Sequence, residues 1–391
     1  MSLYFVGIDI SKYKHDCCII SATDQKVISK FSIKNDKVGF EELITTFNSL
    51  SSPEDIRIGF ESTAHYALNL ELFLENAHHS FMEVNPVLIK EYKKSTTLRR
   101  TKTDSVDCES IARWLITVEY KPHSKGFYHA YSLKSLTRLR DRLIRQRSFY
   151  LVKITNVLDH TFPEFKPFFN ERLSKTALYL LENYGSAEKM ARMNSASYDK
   201  LRCISRGKFS IQQFLRLKEL AANTVGVNNS IFDLELNTLL TLYKSLSDEI
   251  NTLETEIIKL IEEVHPHYMS IPGIGPISSA VIYAEYGDIS NFSNPGQMLA
   301  FAGIEPGIND SGTESHGGRM VKHGSSQLRY VLLNACLPLI RFDLTFATYY
   351  EKKRAEGKKH RVAITHVAKK LIRVIYALER QDVDFNAQKL R

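Results

Sequence analysis

The stretch that decides the fold is residues 4–12, YFVGIDISK, a short apolar run that ends on an acid. Apolar runs of about four to eight residues predict buried β-strands. Asp9 stands where such a strand would carry an apolar side chain, and burial of an unpaired carboxylate costs free energy. Gly7 leaves room beside it. Asp9 is therefore the first candidate for a functional carboxylate.

Outward from this strand, the pattern predicts an α/β domain. Residues 17–21 and 27–33 continue a β meander, and the segments that follow alternate in type: a helix over 38–50, a strand over 56–61, a helix over 64–74, a strand over 81–85, and helices from about 86 and 103. The resulting order, βββαβαβα, is typical of the RNase H-like fold. We expect the domain to end near residue 125, where proline and glycine interrupt the pattern.

Three further acids occupy positions that suit a metal site. Glu61 ends the strand over 56–61, and Asp104 and Asp107 lie three residues apart on one face of a predicted helix. Asp and Glu supply the hard oxygen ligands that Mg²⁺ prefers, and Mg²⁺ supports phosphodiester chemistry. Acids in a first helical turn are also common as helix caps. The magnesium prediction therefore depends on all four acids converging.

The same GIDIS motif resembles the first phosphate loop of actin-like sugar kinases and chaperone ATPases. Those proteins need a second Asp-x-Gly loop after a strand, and the candidate at residues 310–312 has a loop-like context. We therefore rank the carboxylate site above a nucleotide-phosphate site.

The middle of the chain is predicted to be helical. Apolar residues recur every seven positions from Leu136 to Val157, and a second stripe steps by four and three from Leu239 to Val264. These stripes predict either an antiparallel hairpin or a coiled coil between two protomers. Residues 160–230 are expected to form a smaller helical insert.

The last segment opens with residues 271–276, IPGIGP, which resemble a helix-hairpin-helix turn. In such a turn the amides around Gly273 and Gly275 would accept a DNA phosphate, although a plain turn between packed helices has the same composition. Residues 303–324 are predicted to be a glycine-rich polar loop. A helix over 327–337 and a basic amphipathic helix to about 379 follow.

Charge favours a polyanionic partner. The chain has a formal net charge of +8 and a pI near 9.0, and basic residues cluster at 90–102, 134–153 and 351–373. Solvated helix faces would give similar runs.

The five cysteines show no CxxC pair, which predicts reduced packing residues. Neither a leader nor a run of about 18 apolar residues is evident, so we expect a cytoplasmic protein without membrane contact.

Motifs at both ends of the chain resemble those of the DEDD transposases, insertion-sequence family one-ten. At the N-terminal end these are residues 7–12 (GIDISK), 60–63 (FEST), 85–86 (NP) and 102–112 (KTDSVDCESIA). At the C-terminal end they are residues 303–306 (GIEP), 311–312 (SG), 318–322 (GRMVK), 324 (G) and 328–329 (LR). The middle helices match in character only.

The resemblance implies a RuvC-like domain in which Asp9, Glu61, Asp104 and Asp107 bind Mg²⁺, and a serine in the C-terminal domain that attacks DNA. Ser311 is the matching position. It also implies a phosphoserine-linked intermediate, an active site shared between protomers, a homo-oligomer that is a dimer of dimers, and a noncoding bridge RNA that pairs with donor and target DNA. From the residues alone, Ser311 is plausible as an activated nucleophile in a glycine-flanked loop, with Ser315, Ser325 and Ser326 as competitors.

Three domains are expected: a RuvC-like catalytic domain at 1–125, a helical coiled-coil linker and oligomerisation region at 126–265, and a mainly helical C-terminal transposase domain with the nucleophilic serine at 266–391. Twelve residues are candidates for nucleic-acid binding: Lys12, Arg99, Arg100, Lys102, Arg140, Arg142, Arg147, Gly273, Gly275, Arg319, Lys322 and Arg329. Two alternatives stay open, a site-specific DNA invertase of the pilin-inversion type and a non-catalytic nucleic-acid-binding scaffold.

Overall fold

The computed structural model describes residues 3–61, 66–122, 127–170, 173–311 and 314–390, apart from 97–103. Side chains are described within those ranges except at 96, 104–105, 127–129, 306–311, 314–319 and 389–390. The chain divides into two compact units, one of residues 1–129 with 288–293 and the other of residues 130–287 with 294–391.

The first unit is an α/β layer built on a mixed five-stranded sheet in the order β3-β2-β1-β4-β5. Its elements are β1 (Tyr4–Ile10), β2 (Lys14–Ser21), β3 (Val27–Lys34), α1 (Lys37–Leu50), β4 (Ile56–Glu61), α2 (Leu68–Asn76), β5 (Phe81–Val84), α3 (Pro86–Thr96) and α4 (Asp104–Thr117). β1 runs antiparallel to β2 and parallel to β4. The predicted α/β class and element order are confirmed.

The two faces of the central strand have different partners. Val6, Ile8 and Ile10 point to the side of α1 and α2, where they join a buried apolar cluster. Phe5 and Gly7 point to the other side, where α4 packs. Because successive side chains of a strand alternate between faces, Asp9 shares the α4 side with Gly7.

Gly7 allows this close packing. A Cβ at Gly7 would lie 2.1 Å from the carbonyl oxygen of Cys108 and 2.4 Å from the backbone nitrogen of Ala112. Neither backbone atom can turn away as a side chain could. The glycine is therefore required for α4 to cross β1, and it sets the distance between that helix and the acid two residues on.

Replacement of Gly7 with alanine is expected to destabilise the protein by about 2–3 kcal/mol, because the helix must move off the strand. Urea unfolding measures the loss. Gly59→Ala is the matched control, since its Cβ would meet Cδ1 of Leu115 at 2.8 Å, and that side chain can change rotamer. We expect it to cost under about 1.5 kcal/mol. Equal losses would contradict the close-packing argument.

The second unit contains the remaining helices and a β-hairpin. In chain order these are α5 (Phe127–Thr161), which begins in the first unit, α6 (Phe165–Phe168), α7 (Lys175–Tyr184), α8 (Ala187–Ala191), α9 (Ser195–Ile204), α10 (Ile211–Ala222), α11 (Ser230–Val264), α12 (Pro276–Tyr286), α13 (Pro295–Ala302), β6 (Pro306–Ser311), β7 (Glu314–Met320), α14 (Ser326–Phe342), α15 (Leu344–Ala355) and α16 (His360–Gln381). The helices of residues 165–222 correspond to the predicted insert.

The two long helices α5 and α11 pair within one chain. Leu133 near the start of α5 clusters with Ile261 near the end of α11, and Val157 near the end of α5 clusters with Leu236 near the start of α11. The pair is therefore an antiparallel hairpin, one of the two arrangements that the apolar stripes predict.

The predicted glycine-rich loop at 303–324 is wrong in part, because β6 and β7 form an antiparallel hairpin inside it. The sequence of β6, PGINDS, has a single large apolar residue and no alternation, so it carries no strand signal. Backbone hydrogen bonding between the two segments forms the strands without that pattern.

All five cysteines are free thiols, and all but Cys203 are buried.

Over the described ranges, no single helix is long and apolar enough to cross a membrane. The bent pair α14 and α15, with an angle of 106° between its helices, passes that length and composition test when taken together.

Candidate functional site

Two of the candidate acids lie side by side at the carboxyl ends of neighbouring parallel strands. The register pairs Gly7 with Gly59 and Ile8 with Phe60. The next residues along the two strands, Asp9 on β1 and Glu61 on β4, are therefore neighbours. Gly59 faces the Leu115 side chain of α4, and alternation places Glu61 on that same face. Both acids are half-buried. The sheet thus brings Asp9 and Glu61 together on the side covered by α4.

The other two acids begin the helix that crosses this face. α4 starts at Asp104, and its backbone passes over Gly7 at Cys108 and Ala112. Tyr120, three residues beyond the end of α4, donates to the carbonyl oxygen of Ile58 and contacts Arg57, near the amino end of β4. The N-terminal turn of α4 therefore points toward the carboxyl end of β1. Asp104 and Asp107 therefore lie at the end of the sheet that carries Asp9, although only the backbone of Asp104 is described.

Asp107 forms an ion pair with a lysine. Nζ of Lys93, on α3, lies 2.8 Å from Oδ1 of Asp107, and both side chains are largely buried, with 28% and 17% of their surface exposed. The sequence analysis identified Lys93 only as part of the basic cluster at 90–102 and did not predict its contact with Asp107. Its contact with Asp107 depends on how α3 folds back beside α4, which no local pattern reveals.

A second ion-pair group lies on the same helix. Burial alone would raise the pKa of Glu109, but hydrogen bonds from Lys30 and Arg113 outweigh it and hold that pKa below its usual value. Lys30 Nζ is 2.6 Å from Glu109 Oε2, and Arg113 Nε is 2.7 Å from Oε1. Glu109 therefore fixes α4 to β3 and is committed to structural contacts.

One further acid near the site was missed by the sequence analysis. Asp16 on β2 lies directly across from Asp9 in the antiparallel register, so the two side chains share a face of the sheet. Its carboxylate accepts a hydrogen bond from Ser32 and pairs with Lys14 Nζ at 2.9 Å. The signal that could have found it is the tight turn between β1 and β2, which fixes the register.

The donor set suits a hard divalent cation, because Asp9, Glu61 and Asp107 offer only carboxylate oxygens and Gly7 brings the helix close to the sheet. Within the side chains that the structure describes, no three Asp, Glu, His or Cys residues are close enough to hold a metal ion. Asp104, whose side chain lies outside that set, is the fourth predicted ligand. The residues present supply the type of oxygen ligand that Mg²⁺ prefers. The side chain of Asp104 is needed to complete the number of ligands.

Ser311 lies in the second unit, at the end of the β-hairpin. It is the last residue of β6 and pairs with Glu314, while Asp310 pairs with Ser315. Only the backbone of these residues is described, and residues 312–313 lie outside the described residues. The backbone places Ser311 in a strand beside the turn of the hairpin, and not within a helix.

The base of that hairpin is tightly packed. Gly303 has a positive φ of 64°, and a Cβ there would lie 2.6 Å from Nη1 of Arg329 and 2.8 Å from the backbone nitrogen of Gly324. Arg329 donates to the carbonyl oxygen of Ala302 at 3.2 Å. These matched motif residues, Gly303, Gly324 and Arg329, therefore hold the two ends of the 303–324 segment together.

The candidate nucleic-acid-binding residues are placed differently from one another. Arg99, Arg100 and Lys102 lie outside the described residues, and the side chain of Arg319 does too. Lys12, Arg142 and Lys322 are exposed, and Arg147 is half-buried. Arg140 binds Glu254 across the α5–α11 pair, with Nε 2.8 Å from Oε1, so its charge is used inside the helical hairpin.

The glycine turn at 271–276 has two distinct positions. Gly273 has a φ of 94°, and a Cβ there would meet Cγ of Pro338 at 2.9 Å, so this glycine permits close packing against α14. Gly275, which caps α12, has open space around it. Packing therefore accounts for Gly273, while the amides at the start of α12 remain the candidate phosphate ligands.

The chain matches two family models. The first is described as a transposase model and carries the DEDD and IS110 labels; it matches residues 6–163. The second, described as "Transposase IS116/IS110/IS902 family", matches residues 266–351. Together they span more than half of the chain, including Asp9, Glu61, Asp104, Asp107 and Ser311.

Three relatives illustrate the similarity. An insertion element IS900 uncharacterized 42 kDa protein of Mycobacterium paratuberculosis is 26% identical, over 96% of this chain and 95% of its own length. A pilin gene-inverting protein of Moraxella bovis is 23% identical, over 99% and 98%. A transposase for insertion sequence element IS1111A of Coxiella burnetii is 25% identical, over 66% and 59%.

Proposed function

Because this chain belongs to the IS116/IS110/IS902 family of transposases, we propose that it is an insertion-sequence transposase that cleaves and rejoins DNA strands with four carboxylates and a serine nucleophile. The observation that carries the proposal is the placement of Asp9 and Glu61 on adjacent strands under the N-terminal turn of α4. Three separate elements deliver acids to one end of the sheet, and carboxylate oxygens are the ligands that Mg²⁺ prefers.

In this proposal the cofactor is Mg²⁺, held by Asp9, Glu61, Asp104 and Asp107. The bound ion supplies charge neutralisation at the phosphate and lowers the pKa of the attacking hydroxyl. Asp9, Glu61, Asp104 and Asp107 would hold the ion, and the close contact of Gly7 with α4 sets the spacing between the strand and the helix that carry them.

Ser311 is the proposed nucleophile. Its Oγ forms a bond to phosphorus and the bond from phosphorus to one sugar oxygen breaks. The serine proton passes to a base, and the departing sugar oxygen takes up a proton. Attack by a sugar hydroxyl on the phosphoserine reverses these changes and joins the new strand. Arg319 and Lys322, which follow in the same hairpin and its exit, are proposed to bind the charged phosphate.

The proposed partners are donor and target DNA, a noncoding bridge RNA and further copies of this chain assembled as a dimer of dimers. The net charge of +8 supports a polyanionic partner. The choice of RNA as guide and the number of copies rest on the family resemblance. The three-domain division, with a helical region at 126–265 between two catalytic domains, belongs to the same proposal.

A covalent adduct tests the proposal. Full-length protein is incubated with end-labelled donor-junction DNA, with the RNA transcribed from the flank of its gene, and with Mg²⁺ or EDTA, and is then resolved on a denaturing gel. A Mg²⁺-dependent band that shifts with protein mass and disappears on protease treatment is expected. Its absence on DNA that the protein demonstrably binds would support the non-catalytic scaffold.

The pilin-inverting relative supports a second candidate, a site-specific DNA invertase, because the two chains align over nearly their whole lengths. Both reactions use the same proposed residues, so the products distinguish them. A plasmid with two recombination sites is expected to release a circle carrying the element if the chain is a transposase. Inversion of the intervening segment without release supports the invertase.

Replacement of Lys93 with glutamine is expected to raise the affinity for Mg²⁺ about fivefold, because the ammonium group competes with the metal for Oδ1 of Asp107 and a partly buried pair contributes about 1 kcal/mol. Isothermal titration with Mg²⁺ measures this, and thermal unfolding in EDTA should show a small loss of stability. Lys94→Gln, at the exposed next position, is the control. Weaker Mg²⁺ binding in the Lys93 variant would show that the lysine organises the site instead.

A further inference from the structure

A shallow cavity in the second unit lies at the corner between α15 and α16. Its volume is about 320 Å³, and six residues line it: Leu344, Thr345, Thr348, Tyr349, Lys352 and Lys370. The cavity thus combines an apolar side chain, an aromatic ring, two hydroxyl groups and two ammonium groups. A space of this size accommodates a small organic ligand.

The two lysines have no carboxylate partner in the described part of the chain. Two acids that act on these lysines have closer partners of their own: Asp343 is buried and caps α15 through the amide of Phe346, and Glu356 binds Lys353. Burial lowers the pKa of Lys370, so its charge is already partly removed from water. An anion entering the cavity would therefore meet two ammonium groups that form no close ion pair with a described carboxylate and feel Asp343 and Glu356 only at longer range.

The aromatic ring lies between cations. Nζ of Lys370 is 5.2 Å from the centre of the Tyr349 ring, and Nζ of Lys353 is 5.5 Å from it. Tyr349 is half-buried. An aromatic ring with ammonium groups over it combines the two features that a nucleotide site needs, a flat surface for the base and cations for the phosphate.

From this cavity we infer a binding site for an unpaired nucleotide of single-stranded DNA, with the base against Tyr349 and the phosphate at Lys352 and Lys370. The nucleotide must be unpaired, because a base inside a duplex is stacked on both faces and cannot reach a recessed ring. The choice of DNA rests on the proposed function, since strand cleavage and exchange expose unpaired deoxynucleotides. No described residue of the predicted site lines this cavity.

Binding of a fluorescein-labelled single-stranded oligodeoxynucleotide of ten residues, followed by anisotropy in EDTA, tests the inference on the full chain. Tyr349→Leu is expected to weaken binding about tenfold by removing one stacking contact. Lys352→Gln is expected to reduce the slope of log affinity against log salt by about 0.7. For a matched duplex, Tyr349→Leu should change affinity less than twofold.

Two control variants match these changes outside the cavity: Tyr330→Leu, at an exposed tyrosine of α14, and Lys359→Gln, at an exposed lysine before α16. Circular dichroism and thermal unfolding check that each variant folds. Equal weakening by Tyr349→Leu and Tyr330→Leu, or equal loss for single strand and duplex, would overturn the nucleotide site. Tighter binding of the matching RNA oligomer would overturn the choice of DNA.

The test is independent of strand cleavage, because EDTA removes the metal. If Tyr349→Leu binds single strands as wild type does while wild-type protein still forms the Mg²⁺-dependent adduct, the inference fails and the proposed function stands. If the adduct never forms but the Tyr349 effect is present, the nucleotide site stands and the proposed function fails.

Discussion

Replacing Asp9 with asparagine is expected to reduce the Mg²⁺-dependent covalent adduct by a factor on the order of 10³, because the amide keeps the shape of the ligand but removes its charge. Asp9 lies at the centre of the site, beside Glu61 in the sheet and under the turn of α4 that carries Asp104 and Asp107. Loss of its negative charge is therefore expected to weaken Mg²⁺ binding at the proposed site.

Stability is expected to change in the opposite direction. Half-buried carboxylates on one sheet face repel one another when the metal is absent, and Asp16 lies directly opposite Asp9. The asparagine variant should therefore unfold at the same or a higher temperature than wild type in EDTA, and it should gain less from added Mg²⁺. Thermal unfolding with and without Mg²⁺ separates loss of the ligand from loss of the fold.

Asp24→Asn is the matched control, since Asp24 lies in the exposed turn between β2 and β3 of the same sheet and makes local contacts with Ser21 and Lys26. It is expected to retain both the adduct and the Mg²⁺-dependent stabilisation. An Asp9 variant that forms the adduct at the wild-type rate would remove Asp9 from the site and would leave the RNase H-like carboxylate assignment without its central member.

The α/β part of the fold was predictable because its signals are local. Each strand of the sheet is a short apolar run, and the acids at the ends of β1 and β4 break that pattern where the structure places them side by side. The apolar pattern of β1 and β2 does not give the register between them, which brings Asp16 opposite Asp9; the only sequence signal for it is the short turn that joins the two strands. Register depends on pairing between strands and leaves no trace in either strand alone.

Contacts between distant residues were also beyond the sequence. Lys93 belonged to a basic run that favoured phosphate binding, yet it binds Asp107, and Arg140 belonged to another such run, yet it binds Glu254. A charge pattern along a helix shows which face is polar but not which partner neutralises it. The hairpin of β6 and β7 was missed because its residues carry no alternation of apolar and polar side chains.

Ser311→Ala is the variant expected to abolish the covalent adduct completely, because in the proposed mechanism the serine oxygen is the atom joined to DNA and alanine offers no replacement. Binding of donor DNA in EDTA should stay within about twofold of wild type, since one neutral hydroxyl contributes little to affinity for a polyanion. The adduct gel and the binding assay on the same preparation therefore separate chemistry from recognition.

The neighbouring serines provide the controls. Ser315 lies across the hairpin and pairs with Asp310, and Ser326 is exposed at the start of α14. Ser315→Ala and Ser326→Ala are expected to keep the adduct. Ser325→Ala is a less suitable control, because Ser325 caps α14 through the amide of Leu328 and its loss should cost about 1 kcal/mol of stability.

Cysteine at position 311 makes the assignment sharper than alanine alone. A thiolate at the same point of the hairpin retains a nucleophile, so Ser311→Cys is expected to form a phosphothioester adduct at a reduced rate, whereas Ser315→Cys in a Ser311→Ala background should form none. Mass spectrometry of the protease-digested adduct then identifies the modified peptide. A DNA-linked peptide from the Ser311→Ala protein would show that another residue is the nucleophile, while the carboxylate site of the first unit would be unaffected by that result.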